Sequence, residues 1–130
     1  MDENYYNWHK IKSKINDLDS SNFYFKERDI WWCHYGANVG FEQNGKNKLF
    51  LRPILILKKL SRHTCIVIPL STQIKSGNYY FLLLSEANII RTATLSQIKM
   101  IDARRLRNKI DSISKLEFSF IKEKVIDLIR

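Results

Sequence analysis

At 130 residues the chain is long enough for one domain with a buried core and too short to divide that core between two. Its 45% apolar and 12% aromatic residues exclude a disordered chain, and no apolar run nears the roughly 20 residues of a membrane span. The net charge of +9 arises wholly from residues 29–110, where thirteen basic side chains stand against four acidic ones. The flanks are neutral, with five of each sign over 1–28 and four of each over 111–130.

A basic centre between neutral ends fits a polyanion-binding surface or, equally, a solvated lysine-rich one. Met1-Asp2-Glu3-Asn4 is acidic and polar, opposite in character to an export signal, so the expected location is cytoplasmic.

Residues 4–18 set Tyr5, Trp8, Ile11, Ile15 and Leu18 at steps of three and four, the pattern of an amphipathic helix. Asp2 and Glu3 sit near its positive end, and Ser20-Ser21-Asn22 ends it. Then the period changes. Asp29 to Tyr35 reads as a strand rich in aromatic and β-branched residues. Gly36 and Gly40 bound a turn into Glu42-Gln43-Asn44-Gly45, and Lys46 to Lys48 form a basic loop.

Pro53 to Leu57 and Thr64 to Ile68 are strand-length apolar runs joined by a hairpin at Ser61-Arg62. Tyr79 to Leu84 follows a Ser76-Gly77-Asn78 turn, and Thr92 to Leu95 and Ile98 to Ile101 are shorter strands. Asp102 to Ile110 reads as a short basic helix. Ser114-Lys-Leu-Glu117 is a capping box opening a last helix, with Leu116, Phe120, Ile121, Val125 and Leu128 on its apolar face. The expected fold is mainly β, a small barrel or sandwich with helices at both ends.

Cys33 and Cys65 fall inside strands without Cys-x-x-Cys spacing, so buried free thiols are expected. His9, His34 and His63 are scattered without metal-ligand spacing, and no metal or other cofactor is expected. Trp31, Trp32 and Tyr35 could stack on bases, but alternation sends the two tryptophans to opposite faces, so at least one belongs to the core.

The chemistry gathers at the edges of the central strands. Glu42-Gln43-x-Gly45 leads into Arg52-Pro53, and Pro69-Leu70-Ser71-Thr72-Gln73-Ile74-Lys75 follows the next apolar run. A carboxylate, a guanidinium, hydroxyls and an ammonium at strand edges can converge on one phosphate. RNA cleaves itself when its 2′-hydroxyl attacks the adjacent phosphorus. A protein need only supply a base, cationic or hydrogen-bonding groups for the phosphate, and a proton source. Arg52 suits the charge role, because its planar fork donates bidentately and stays protonated. The bland alternatives are a structural salt bridge for Arg52, turn formation for Ser71 and Thr72, and surface solvation for Lys75.

From about Arg28 to Leu128 the chain resembles the MazF/PemK family, the ribonuclease toxins of bacterial toxin–antitoxin pairs. The resemblance rests on Asp29-Ile-Trp-Trp, Val39-Gly-Phe-Glu-Gln-Asn-Gly45, Arg52-Pro-Ile-Leu-Ile and Ile68-Pro-Leu-Ser-Thr-Gln-Ile-Lys75. Leu95-Ser-Gln-Ile-Lys-Met-Ile-Asp102 with Arg105-Leu106 resembles the family's late strand and short helix. It implies an SH3-like barrel over 28–130; residues 1–27, a helical extension by their own spacing, lie outside the resemblance. It also implies a homodimer, metal-independent cleavage of single-stranded mRNA, and a cognate antitoxin as partner. On the residues it implies Glu42 as base, Arg52 for phosphate charge and Ser71 for phosphate orientation. Gln43, Lys46, Lys48, Thr72, Gln73 and Lys75 are then expected to bind the substrate.

Two departures stand out. Lys46 to Leu51 lengthen the loop between the E-Q-x-G turn and Arg52-Pro53, and Ser96 stands where many members carry an acidic residue. A non-catalytic, nucleic-acid-binding SH3-like module is therefore the competing expectation, and a protein-interaction barrel a third.

Overall fold

Residues 24–35 and 51–130 are described by the computed structural model. The expected N-terminal helix and the Glu42–Gly45 turn with Gln43, Lys46 and Lys48 lie outside the described residues.

The strands are β1 (Asp29–His34), β2 (Leu51–Lys59), β3 (Thr64–Ser71), β4 (Tyr80–Leu84), β5 (Ile90–Thr94), β6 (Lys99–Asp102) and β7 (Leu106–Ser112), followed by helix α1 (Lys115–Ile129). They form one antiparallel sheet in the order β4-β5-β3-β2-β1-β7, with β6 also on β3. One edge of β3 is divided: Thr64 to Val67 pair with β6, and Leu70 and Ser71 pair with β5. The mainly β fold with a C-terminal helix agrees with the expectation.

Both faces of the central strands are buried, which is why they read as continuous apolar runs. Alternation sends Trp31, Cys33, Ile54, Ile56, Cys65 and Val67 to one core. Ile30, Leu55, Ile68 and Leu70 go to a second, which Phe118 and Ile121 of α1 cover. Phe25, fully buried, belongs to the first core, and Lys59 is held there by its N–H on Glu27 at 3.1 Å and its Nζ on the Phe25 carbonyl at 3.1 Å. Turn chemistry closes the hairpins. The Ser61 Oγ accepts from the His63 N–H at 3.0 Å, and Gly77 takes a φ of +131°, a conformation that favours glycine.

Two expectations are corrected. Asp102–Ile110 is not a helix. Asp102 Oδ1 accepts from the Arg104 N–H at 2.8 Å to hold one 3₁₀ turn, and the chain then runs out as β7 along the free edge of β1. Paired residues run Cys33↔Leu106, Trp32↔Asn108, Trp31↔Lys109 and Ile30↔Asp111, so Arg107 and Ile110 are extra residues bulged out of the ladder. The ladder bonds to β1 outweigh the weak helical preference of a basic run. On α1 the capping box holds, with the Ser114 Oγ accepting from the Glu117 N–H at 3.1 Å. The packed stripe, however, is Phe118, Ile121, Val125 and Leu128, while Leu116 and Phe120 are exposed.

Candidate active site at the ends of β2 and β3

β2 begins and β3 ends at the same edge of the sheet. Ile54 pairs with Pro69, and Arg52 and Ser71 each lie two residues further toward that edge, so the register brings them onto neighbouring strand ends. On the other side of β2, Arg52 pairs with Cys33 and Leu51 with His34. Antiparallel partners share a face, so Arg52 emerges above the core that holds Cys33 and Ile54. Arg52 is exposed, and Pro53 behind it is partly buried.

Tyr35 continues β1 into this edge. Its hydroxyl donates to the Gln97 carbonyl at 3.1 Å, and its ring carries the Arg52 guanidinium at 5.8 Å and the Lys99 ammonium at 4.3 Å. Burial pushes the Tyr35 phenol up to about 12, against the opposing pull of the Arg52 charge. Arg105 reaches the same place from the turn before β7, its Nη1 donating to the His34 carbonyl at 3.0 Å. Three cations thus surround the end of β1. Among the described residues none of them is ion-paired with a carboxylate.

The Ser71–Lys75 segment is fixed by short bonds. Ser71 Oγ accepts from the Gln73 N–H at 3.0 Å, a turn bond that leaves its O–H to donate. The buried Thr92 hydroxyl donates to the Gln73 carbonyl at 2.7 Å and accepts from the Lys75 N–H at 3.4 Å. Thr72 and Gln73 are exposed. Lys75 points elsewhere, its ammonium 5.6 Å above the Tyr80 ring on β4, beyond β5 from Arg52.

The remaining expectations divide. His34 is buried beside Leu51 at the site's edge; His63 is exposed in the β2–β3 hairpin, at the other end of both strands. Trp31 is core and donates its Nε1–H to Asp29 Oδ2 at 3.2 Å, whereas Trp32 is half-buried on the other face. Cys33 and Cys65 are buried free thiols, and burial pushes each up to about 12. Lys99 and Arg105 went unnoticed in the sequence as site residues: Lys99 stood in the expected Ile98–Ile101 strand, and Arg105 in a segment that read as a separate helix. The signal was there: Lys99 lies one residue before Met100-Ile101 on an alternating strand, within the motif carrying the resemblance.

Among the described residues no group of three His, Cys, Asp or Glu side chains is placed to hold a metal ion. No helix among them is long and apolar enough to cross a membrane.

The whole described sheet and helix match a known family. Residues 26–129 match the model of the PemK-like, MazF-like toxin of type II toxin–antitoxin systems. A sequence comparison with curated proteins gives no match. Among solved structures the fold is similar to an endoribonuclease from a Mycobacterial species in complex with its cognate antitoxin, with 10% identity, a TM-score of 0.61, and 82% of this chain and 95% of that one covered. It is similar to the Mycobacterium tuberculosis toxin MazF-mt6 at 14% identity and a TM-score of 0.59, covering 78% and 96%. Deinococcus radiodurans MazF gives 16% identity and a TM-score of 0.61, covering 81% and 96%. At these identities the structures speak for the fold, and the family match extends over most of the chain: it belongs to the PemK-like, MazF-like toxins of type II toxin–antitoxin systems.

Proposed function

We propose that this chain is the toxin of a toxin–antitoxin pair and acts as a sequence-selective endoribonuclease on single-stranded mRNA, without a metal cofactor. The observation that carries the reading is the register bringing Arg52 and Ser71 to adjacent strand ends, beside exposed cations that no described carboxylate pairs. Arg52 donates to the non-bridging phosphate oxygens, where charge builds in the transition state. The Ser71 O–H orients the same phosphate. Glu42 takes the proton of the attacking 2′-hydroxyl, a new bond forms from the 2′-oxygen to phosphorus, and the bond to the 5′-oxygen breaks. That oxygen leaves with a proton from water. The products are a 2′,3′-cyclic phosphate and a 5′-hydroxyl.

Gln43, Lys46, Lys48, Thr72, Gln73 and Lys75 are read as substrate contacts on either side. Residues 1–27 are read as a helical extension of a barrel domain over 28–130. A homodimer is supported by the exposed apolar side chains Leu82, Leu84 and Ile90, which share one face of the β4–β5 hairpin with Leu84 opposite Ile90. An antitoxin is the expected protein partner, and the cytoplasm the expected location.

The second reading is a non-catalytic RNA-binding module. It is favoured by Ser96, exposed beside Gln97 in the turn before β6, where many relatives place an acid. One experiment separates the two. Purified protein is incubated with mixed-sequence RNA in EDTA and the ends are mapped. Cyclic-phosphate ends, lost when the cut nucleotide is 2′-deoxy, are expected. Strict Mg²⁺ dependence or cutting of the deoxy substrate contradicts the mechanism, and binding without cutting selects the second reading.

A further inference from the structure

Lys99 and Arg105 have no part in the cleavage chemistry above, yet both are spent on the site's edge. Lys99 leaves β6 opposite Val67 and lies 4.3 Å from the centre of the Tyr35 ring, whose other cation is Arg52 at 5.8 Å. Arg105 is tied by Nη1 to the His34 carbonyl at 3.0 Å, which leaves the rest of its guanidinium to donate outward. The charges reach inward as well. Burial is what raises the Cys33 thiol, and Arg105 and Lys99 both pull against it.

Elsewhere in the described structure the cations near carboxylates are matched: Arg91 to Asp111 at 2.9 Å, Arg104 to Asp102 at 2.8 Å and Lys109 to Asp29 at 3.3 Å. Arg52, Lys99 and Arg105 are not, although each is fixed by a ring or a carbonyl. Like charges held together repel, and an anion seated among them turns that cost into binding energy.

From this we infer that Lys99 and Arg105 form a binding subsite for an RNA phosphate next to the one held by Arg52 and Ser71. Arg105 also opens a path for the strand. Arg107 is one of the two residues bulged out of the β7 ladder, and it continues the exposed positive charge onto the outermost strand. A bulge re-aims its side chain, so the backbone of a bound strand is led from the Arg52 edge along β7. The inference rests on the endoribonuclease reading for the identity of the ligand. RNA is favoured over an acidic protein segment because the cations flank the proposed cleavage pair.

The test uses the full chain and a mixed-sequence 2′-O-methyl RNA oligonucleotide, which cannot cleave, with natural RNA cleaved in parallel. Affinity is measured across a salt series for Lys99→Gln, Arg105→Gln, the double variant and, as control, Lys115→Gln at the exposed start of α1. Each single variant should lower the slope of log affinity against log salt by about 0.7, and the double variant by about 1.4, with the control unchanged. Lys99→Arg and Arg105→Lys should keep the wild-type slope, which a merely structural role for either side chain would not predict. Single-turnover cleavage at saturating RNA should stay near wild type in Lys115→Gln. If wild type binds and cuts RNA but the glutamine variants match its affinity and slope, the subsite is overturned while the nuclease reading stands. Weaker polyglutamate binding in those same variants would then give the cluster to an acidic protein segment. If wild type neither binds nor cuts RNA, both readings fall together.

Discussion

Along β1 two groups of charge answer opposite demands. Near its start, opposite Ile30, the Asp111 carboxylate is enclosed: Arg91 Nη1 donates to it at 2.9 Å, the Ala87 N–H at 3.2 Å and the Ser112 N–H at 2.8 Å. Near its end, opposite Cys33, Arg52 stands exposed with Lys99 and Arg105, and no described carboxylate bridges any of the three. The first group ties the β4–β5 turn to β7 and is complete in itself. The second is ordered by rings and a carbonyl, with no described carboxylate to balance it, and in the proposed reading an RNA phosphate completes it. Net charge alone does not separate these two uses; pairing does.

Breaking the first group should cost stability and spare the site. Asp111→Ala leaves the Arg91 guanidinium buried without its partner, a loss of about 3–5 kcal/mol, read as a lower urea midpoint. Cleavage per folded molecule should be unchanged. Breaking the second should do the reverse. Arg52→Ala is expected to lower single-turnover cleavage by about a hundred- to a thousandfold, with a melting temperature near that of wild type, since among the described residues the exposed guanidinium loses only its contact with the Tyr35 ring.

Acid sharpens the contrast. Burial alone would raise the Asp111 carboxyl, but hydrogen bonds from Ser85, Arg91 and the Ser112 and Ala87 N–H groups outweigh it and hold the group below its usual range. A carboxyl depressed in the folded state stabilises the fold above its unfolded pKa of about 3.9, and that contribution fades as pH falls through the folded value. Asp111→Asn should therefore flatten the acid limb of stability against pH. Arg52→Gln should leave that limb as it is. The smallest effect is expected at Ser71. Ser71→Ala removes one hydrogen bond of about 0.5–1.5 kcal/mol, up to about tenfold in rate, and Thr72 offers a hydroxyl beside it.

Much of this was legible in the residues. Two-faced burial wrote β2 and β3 as apolar runs, and Ser114 with Glu117 marked the start of α1. Arg52 and Ser71 announced themselves as polar residues where apolar strands begin or end. What escaped was what depends on distant pairing. β7 carries Arg107 and Lys109 and two bulges, which break the period of two and leave a basic run that reads as helix. Its strand character is conferred by the free edge of β1, far away in sequence. Lys99 and Arg105 reach Tyr35 and His34 only because β6 lies on β3 and β7 on β1. On α1, Ile121, Val125 and Leu128 pack as expected, but Phe118 enters the second core where Leu116 and Phe120 were expected.

The central claim is that RNA is held where β2 begins and β3 ends. It is tested most directly by a crystal structure of the full chain with an RNA oligonucleotide made uncleavable by one 2′-deoxy nucleotide at the mapped cut. The account predicts the scissile phosphate within hydrogen-bond distance of the Arg52 guanidinium and the Ser71 hydroxyl. Density for that phosphate at any other surface, with Arg52 and Ser71 still facing solvent, would contradict it.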